Sequence, residues 1–108
     1  CGNEDSRSDW GSDADKKELD DTFQYLSDTF ISKGIPVIID ECGAINKNEN
    51  TSARAAWYGY YISAAKKKGI KCFVWDSGEK KDGFALLNRK DCTCYYPEII
   101  QAIQNAVQ

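Results

Sequence analysis

The chain has 108 residues, 29% of them charged, and a net charge of −3, enough for one small domain with a modest core. The acidic balance argues against a nucleic-acid or membrane-surface partner. Histidine is absent, which removes the usual general base, the commonest zinc ligand and any Ser-His-Asp arrangement.

In chain order, residues 1–15 are polar and carry one large apolar side chain, Trp10, so they read as a loop leading into a helix. Asp15 and Glu18 have the capping spacing, and Asp13 and Asp15 suit a helix amino end. Leu19, Phe23, Leu26 and Phe30 then form one helical stripe that Lys33 and Gly34 close. Pro36 opens an apolar strand that ends in Asp40, Glu41, Cys42 and Gly43. After a polar loop, Asn50 or Thr51 caps a second helix, with Ala53, Ala56, Trp57, Tyr60, Tyr61 and Ala64 as its apolar face. Lys66, Lys67 and Lys68 load its last turn, where cations suit the helix dipole, and Gly69 ends it. Residues 70–75 form a second apolar run without alternation, which predicts a strand covered on both faces. A long polar loop begins at Asp76, residues 84–87 are read as a short extended piece, and Pro97 starts a last helix striped by Ile99, Ile100, Ile103 and Val107.

One repeat runs through this order. Lys33-Gly34-Ile35 matches Lys68-Gly69-Ile70, and the same offset carries Glu41 onto Asp76. A βα unit used twice predicts adjacent parallel strands joined by a right-handed crossover. Functional groups then stand at the carboxyl ends of the strands, which singles out Glu41 and, about 5 Å away on the neighbouring end, Asp76. Two strands make neither a closed barrel nor a complete doubly wound sheet, and their apolar edges need cover. A missing part of a larger α/β protein, or a second copy, is the expected partner.

Five cysteines are an odd number. Cys92 and Cys94 are too close in sequence to pair readily, and Cys72 reads as a small buried hydrophobe. Pairing among Cys1, Cys42, Cys92 and Cys94 cannot be read from spacing, and no Cys-x-x-Cys spacing speaks for zinc. No cofactor is implied. No apolar run approaches the roughly 20 residues of a membrane span. With no visible signal peptide and no initial Met, the chain is expected to be an interior piece of something longer.

The segment from Lys33 to Ala44, Lys-Gly-Ile-Pro-Val-Ile-Ile-Asp-Glu-Cys-Gly-Ala, resembles the nucleophile segment of glycoside hydrolase family 5 endoglucanases. Cys72-Phe-Val-Trp-Asp-Ser-Gly78 resembles that family's eighth strand. Phe84-Ala-Leu-Leu-Asn-Arg89 and Tyr95-Tyr-Pro-Glu-Ile-Ile100 resemble its closing segments. The resemblance implies an α/β fold that is the last part of a (β/α)8 TIM barrel: helix 6, strand 7, helix 7, strand 8 and helix 8. Residues 1–108 would then be one carboxyl-terminal fragment of that domain.

It also implies a retaining β-1,4-glucanase, secreted and acting on β-1,4-linked glucan. Glu41 would be its nucleophile, Trp75 the platform under the sugar, Asp76 a neighbouring substrate contact, and Trp10 an aromatic of the cleft. A cis peptide after Trp75 is expected on the same ground. Three positions depart from the family pattern: Asp40 replaces a glycine, Cys42 an aromatic, and Cys94 a tryptophan. The family's acid/base Asn-Glu-Pro motif does not occur in the sequence. Two other readings remain open on the residues themselves. One is a glycan-binding module that lost catalysis, and the other is a local Glu41–Asp76 dyad.

Overall fold

The computed structural model describes residues 7–108, so Cys1 lies outside the described residues. Helix α1 (Asp13–Thr29) begins one residue after Ser12, whose hydroxyl accepts from the Asp15 amide at 3.2 Å. The Asp15 carboxylate accepts in return from the amides of Ser12 at 2.9 Å and Gly11 at 3.0 Å, and it is paired with Arg7. The capping box is therefore Ser12 with Asp15, three residues earlier than Asp15 with Glu18. A carboxylate at the third helical position reaches back to the free amides that open a helix. Hydrogen bonds from the Ser12 side and from the Gly11 and Ser12 amides hold its carboxyl well below the usual range.

Phe23 is buried, with Leu19 and Leu26 packed beside it, while Phe30 falls past the helix end and is exposed. A single 3₁₀ turn, Ile31–Lys33, follows, and Gly34 closes it at φ 76°. Strand β1 (Ile38–Cys42) starts two residues beyond Pro36.

Helix α2 (Thr51–Lys67) lies between α1 and α3 (Pro97–Val107) and packs most extensively on α3. It buries Arg54, Tyr58 and Ile62 on one side and Ala64 and Ala65 on another, while Ala56 is exposed. The expected single face was thus too narrow. A helix clamped between two others and a sheet is covered nearly all round, and its sequence then carries little amphipathic signal. Tyr58, Ile62, Leu86, Tyr96, Ile99 and Ala106 form the larger core. Phe23, Ala64, Ala65 and Ile70 form a second core, and Cys72 touches both. The four described cysteines are free.

Strand β2 (Lys71–Val74) pairs with β1 in parallel, as the repeat predicts. The pairing aligns Ile38 with Lys71 and Ile39 with Cys72, then slips so that Cys42 meets Val74. Coverage of both strand faces is corrected. Ile39, Cys72 and Val74 pack on the helices, but Ile38 is 60% exposed and Phe73 58%. The helices of the described residues lie on one side only, and an unalternated apolar run records the burial of the complete fold, not of this part of it. Of residues 84–87 only Leu87 lies in a strand, so the extended piece begins later than expected. Beyond a 3₁₀ turn at Lys80–Asp82, a small antiparallel pair joins β3 (Leu87–Asn88) to β4 (Thr93–Cys94).

Candidate active site at the strand ends

Strict alternation along β1 would place Ile39 and Glu41 on the same face, against the helices. The register irregularity between Ile39 and Cys42 prevents this. Asp40 and Glu41 are exposed in succession, and Cys42 turns back under α2, where it is buried. An extra residue in a strand re-aims the side chains that follow it, and such irregularities recur beside active sites. Burial pushes the Cys42 thiol up to about 12, assisted by the adjacent Cys72. This cysteine is an inert packing group in the place of an aromatic.

The strand end is held from both sides. The Trp75 amide donates to the Cys42 carbonyl at 2.8 Å, which sets Trp75 beside the residue that follows Glu41. The Ala44 amide donates to Tyr58 Oη at 3.1 Å, and Arg54 Nε donates to the Ala44 carbonyl at 2.9 Å. Arg54 is 1% exposed and its guanidinium lies 4.7 Å from the Tyr96 ring centre. Burial raises the Tyr58 hydroxyl above its ordinary value, so it stays protonated and neutral. Gly43 sits close under Phe84 and Tyr58: a Cβ there would stand 3.3 Å from the Phe84 ring, a tight contact, and 3.5 Å from Tyr58 Oη. The Asn46 amide donates to the Gly83 carbonyl at 2.9 Å and ties this loop to the one after β2.

The four sequence-derived candidates have different surroundings. Glu41 is exposed and makes no ion pair with another described residue. Trp75 is 44% exposed at the next strand end. Asp76 follows it, but its carboxylate is engaged in its own loop. Asp76 Oδ1 accepts from Leu86 N at 2.7 Å, Leu87 N at 3.2 Å and Gly78 N at 3.4 Å. Its Oδ2 accepts from Arg89 at 3.1 Å. Burial works against the Asp76 charge, yet these donors outweigh it and hold the carboxyl below its ordinary value.

Trp10 lies elsewhere, with its ring 5.5 Å from that of Tyr60. It lines a groove of about 310 Å³ with Trp57, Ala44, Asn50 and Glu18, and none of Glu41, Trp75 and Asp76 borders it. The peptide after Trp75 is trans. A trans bond is the cheaper form by about 3 kcal/mol for a residue other than proline.

Sequence reasoning missed Arg54, Tyr58 and Arg89. The only signal for the first two is an arginine and a tyrosine four apart inside an otherwise apolar helix, which points as readily to a solvated face. Arg89 closes the segment 84–89 that resembles the family, but nothing in that segment showed that its side chain would bind Asp76.

These strand ends have counterparts in known proteins. Residues 2–81 match the family model for cellulase, glycosyl hydrolase family 5. Endoglucanase A of Clostridium longisporum is 46% identical over 98 residues, which span 87% of this chain and 19% of that protein. The cellulase/esterase CelE of Acetivibrio thermocellus is 44% identical over 87% of this chain and 12% of its own length. The structure of a family 5 lichenase from Caldicellulosiruptor sp. F32 in complex with cellotetraose superposes with a TM-score of 0.90 at 37% identity. That match covers 99% of this chain and 30% of the lichenase. A broad-specificity endoglucanase from Clostridium longisporum gives a TM-score of 0.87 at 42% identity, over 95% of this chain and 30% of its own. The chain therefore spans about a fifth or less of these curated relatives and under a third of the solved ones. The fold is an α/β part of a TIM barrel, unclosed within the described residues. By motif, identity and superposition, the chain belongs to glycoside hydrolase family 5.

Proposed function

We propose that these residues supply the nucleophile half of a retaining endo-β-1,4-glucanase site. The observation that carries this reading is the irregularity in β1, which turns out an exposed Glu41, without an ion pair among the described residues, near Trp75 at adjacent parallel strand ends. The Glu41 carboxylate attacks the anomeric carbon and forms a glycosyl-enzyme as the glycosidic bond breaks. The departing oxygen takes a proton from a second carboxyl. Trp75 supplies the apolar face on which the sugar next to the cleaved bond rests. Trp10 belongs to the walls of the cleft farther from the chemistry. Asp76 contributes by holding the loop under Trp75 in shape, in preference to acting in a dyad, because its oxygens are already engaged.

The exposed Ile38 and Phe73 are the surface on which the rest of a barrel, or a second copy, is seated. The chain is taken as one carboxyl-terminal fragment, residues 1–108, of a secreted enzyme, with β-1,4-linked glucan as its substrate. No Asn-Glu-Pro acid/base segment occurs in the sequence, so the isolated chain has little turnover. General acid help is worth roughly 10²–10⁴ in rate.

The test is hydrolysis of a soluble β-glucan by the chain alone, then with the missing amino-terminal barrel segment added. Activity is expected only in the second case, with retained anomeric configuration in the first product and loss in Glu41→Gln. Turnover by the chain alone that Glu41→Gln abolishes would refute the acid/base argument. Glucan affinity that depends on Trp75 but not on Glu41, without turnover, would favour the binding-module reading.

A further inference from the structure

The loops after β2 enclose a second groove, of about 430 Å³, that the proposed reaction does not use. Lys80, Lys81, Arg89 and Lys90 line it against one carboxylate, Glu79, in a chain whose net charge is negative. The other nearby acids are turned into their own loops. Asp76 accepts from three backbone amides and Arg89. Asp82 accepts from Ser77 Oγ at 2.8 Å and Phe84 N at 2.9 Å. Asp91 accepts from Thr93 and Asn88. Lys81 and Lys90 have no ion pair among the described residues, so the positive charge is left uncompensated.

Arg89 is the ordered member of the set. Its Nη2 donates to the Asp76 carbonyl at 2.6 Å and to Oδ2 at 3.1 Å, yet its side chain is 63% exposed. Gly78 makes room for it, because a Cβ there would stand 2.6 Å from Arg89 Nε. A fixed guanidinium with donors to spare matches a carboxylate in geometry, and lysines around it add charge without demanding direction. Tyr95 borders the same groove, with the Lys80 ammonium over its ring, 5.5 Å from the centre.

We propose that this groove binds the carboxylate of an acidic sugar, a uronic residue carried on the glycan that runs past Trp75. The choice of a sugar as carrier rests on the glycosidase reading above. The groove is lined from Ser77 onward by the loop that follows Trp75, which ties it along the chain to the proposed sugar platform.

The full chain is titrated with a glucuronate-bearing β-1,4-xylo-oligosaccharide and with the same compound after its carboxyl is reduced to the alcohol, following backbone amide shifts. The acid form is expected to move the Gly78, Lys81 and Lys90 signals and to bind roughly fivefold more tightly, a preference that shrinks at high salt. The double variant Lys81→Gln/Lys90→Gln is expected to erase that preference while leaving the thermal midpoint unchanged. Equal binding of the two forms overturns the proposal. So does inorganic phosphate if it produces the same shifts at equal concentration, which marks an anion sink and not a sugar site. The measurement needs no turnover, so loss of glucan hydrolysis in Glu41→Gln reports separately on the glycosidase reading.

Discussion

Glu41 and Asp76 are matched by the sequence repeat, but Glu41 is the penultimate residue of β1 and Asp76 stands two residues beyond the end of β2. Their surroundings differ in every other respect. At the first end the strand register slips and the carboxylate emerges exposed, with no ion pair to another described residue. At the second end the strand runs straight into a loop that closes on the carboxylate with three backbone amides and an arginine. A carboxylate that satisfies a loop is committed to structure, since each charge-assisted hydrogen bond is worth about 1.5–3 kcal/mol and is expensive to release. A carboxylate that satisfies nothing is free to react. The pair shows how one βα plan, used twice, leaves one carboxylate exposed and commits the other to its own loop.

This contrast can be broken most sharply at Glu41. In the chain completed with its missing barrel segment, Glu41→Gln is expected to lower turnover by roughly four orders of magnitude. The urea midpoint should not move, because the side chain makes no ion pair with another described residue. A large stability loss would assign Glu41 to structure and erase the distinction.

Asp76→Ala should do the reverse. Loss of the acceptor for three amides and Arg89 is expected to cost about 3 kcal/mol in a urea melt. Its pH dependence carries a sign. The folded carboxyl titrates below the unfolded value of about 3.9, so the stability it contributes is fully present above that pH and is lost as pH falls through the depressed folded value. A stability difference between the wild type and Asp76→Ala that stays constant from neutral pH down to pH 2 would contradict this.

Gly78→Ala probes the same loop from the backbone. Gly78 has φ 72°, and the added Cβ would meet the Arg89 side chain, so a loss of about 1–2 kcal/mol is expected. The amide signals of Leu86 and Leu87 should shift with it. The smallest effect is expected in the loop after Glu41, where Asn48 and Glu49 have φ of 52° and 58° and the Asn50 amide donates to the Lys47 carbonyl at 3.2 Å. That turn favours Asn-Gly, so Glu49→Gly should raise stability by about 1 kcal/mol. Destabilisation instead would mean that the Glu49 side chain has a role in holding the loop.

Thiol chemistry separates interior from surface in the same molecule. Cys92 and Cys94 are exposed, whereas Cys42 is buried with its thiol pushed up to about 12. Of the four described cysteines, only Cys92 and Cys94 should alkylate in the folded protein at neutral pH, read by mass spectrometry.

What was legible in the sequence follows from local rules. Helix stripes, a glycine after each helix and the repeated apolar runs are set by backbone sterics and periodicity, so α1, α2, β1, β2 and α3 were found in order. Their ends moved by one to a few residues because caps depend on single hydrogen bonds, as with Ser12 in place of Asp15. Glu41 and Trp75 were singled out through motif resemblance and through their place at the end of an apolar run. The hairpin of Leu87–Asn88 with Thr93–Cys94 was missed, since two-residue strands carry no pattern.

The amino-acid order alone determined the βα repeat, the family and the two strand-end carboxylates, because these rest on periodicity and on contiguous residues. Only the tertiary structure decided which carboxylate is free, that Arg54 and Tyr58 clamp Ala44, and that one sheet face stands open. Those outcomes depend on hydrogen bonds between residues 10 to 14 apart and on a slip in strand pairing. Neither leaves a periodic trace along the chain.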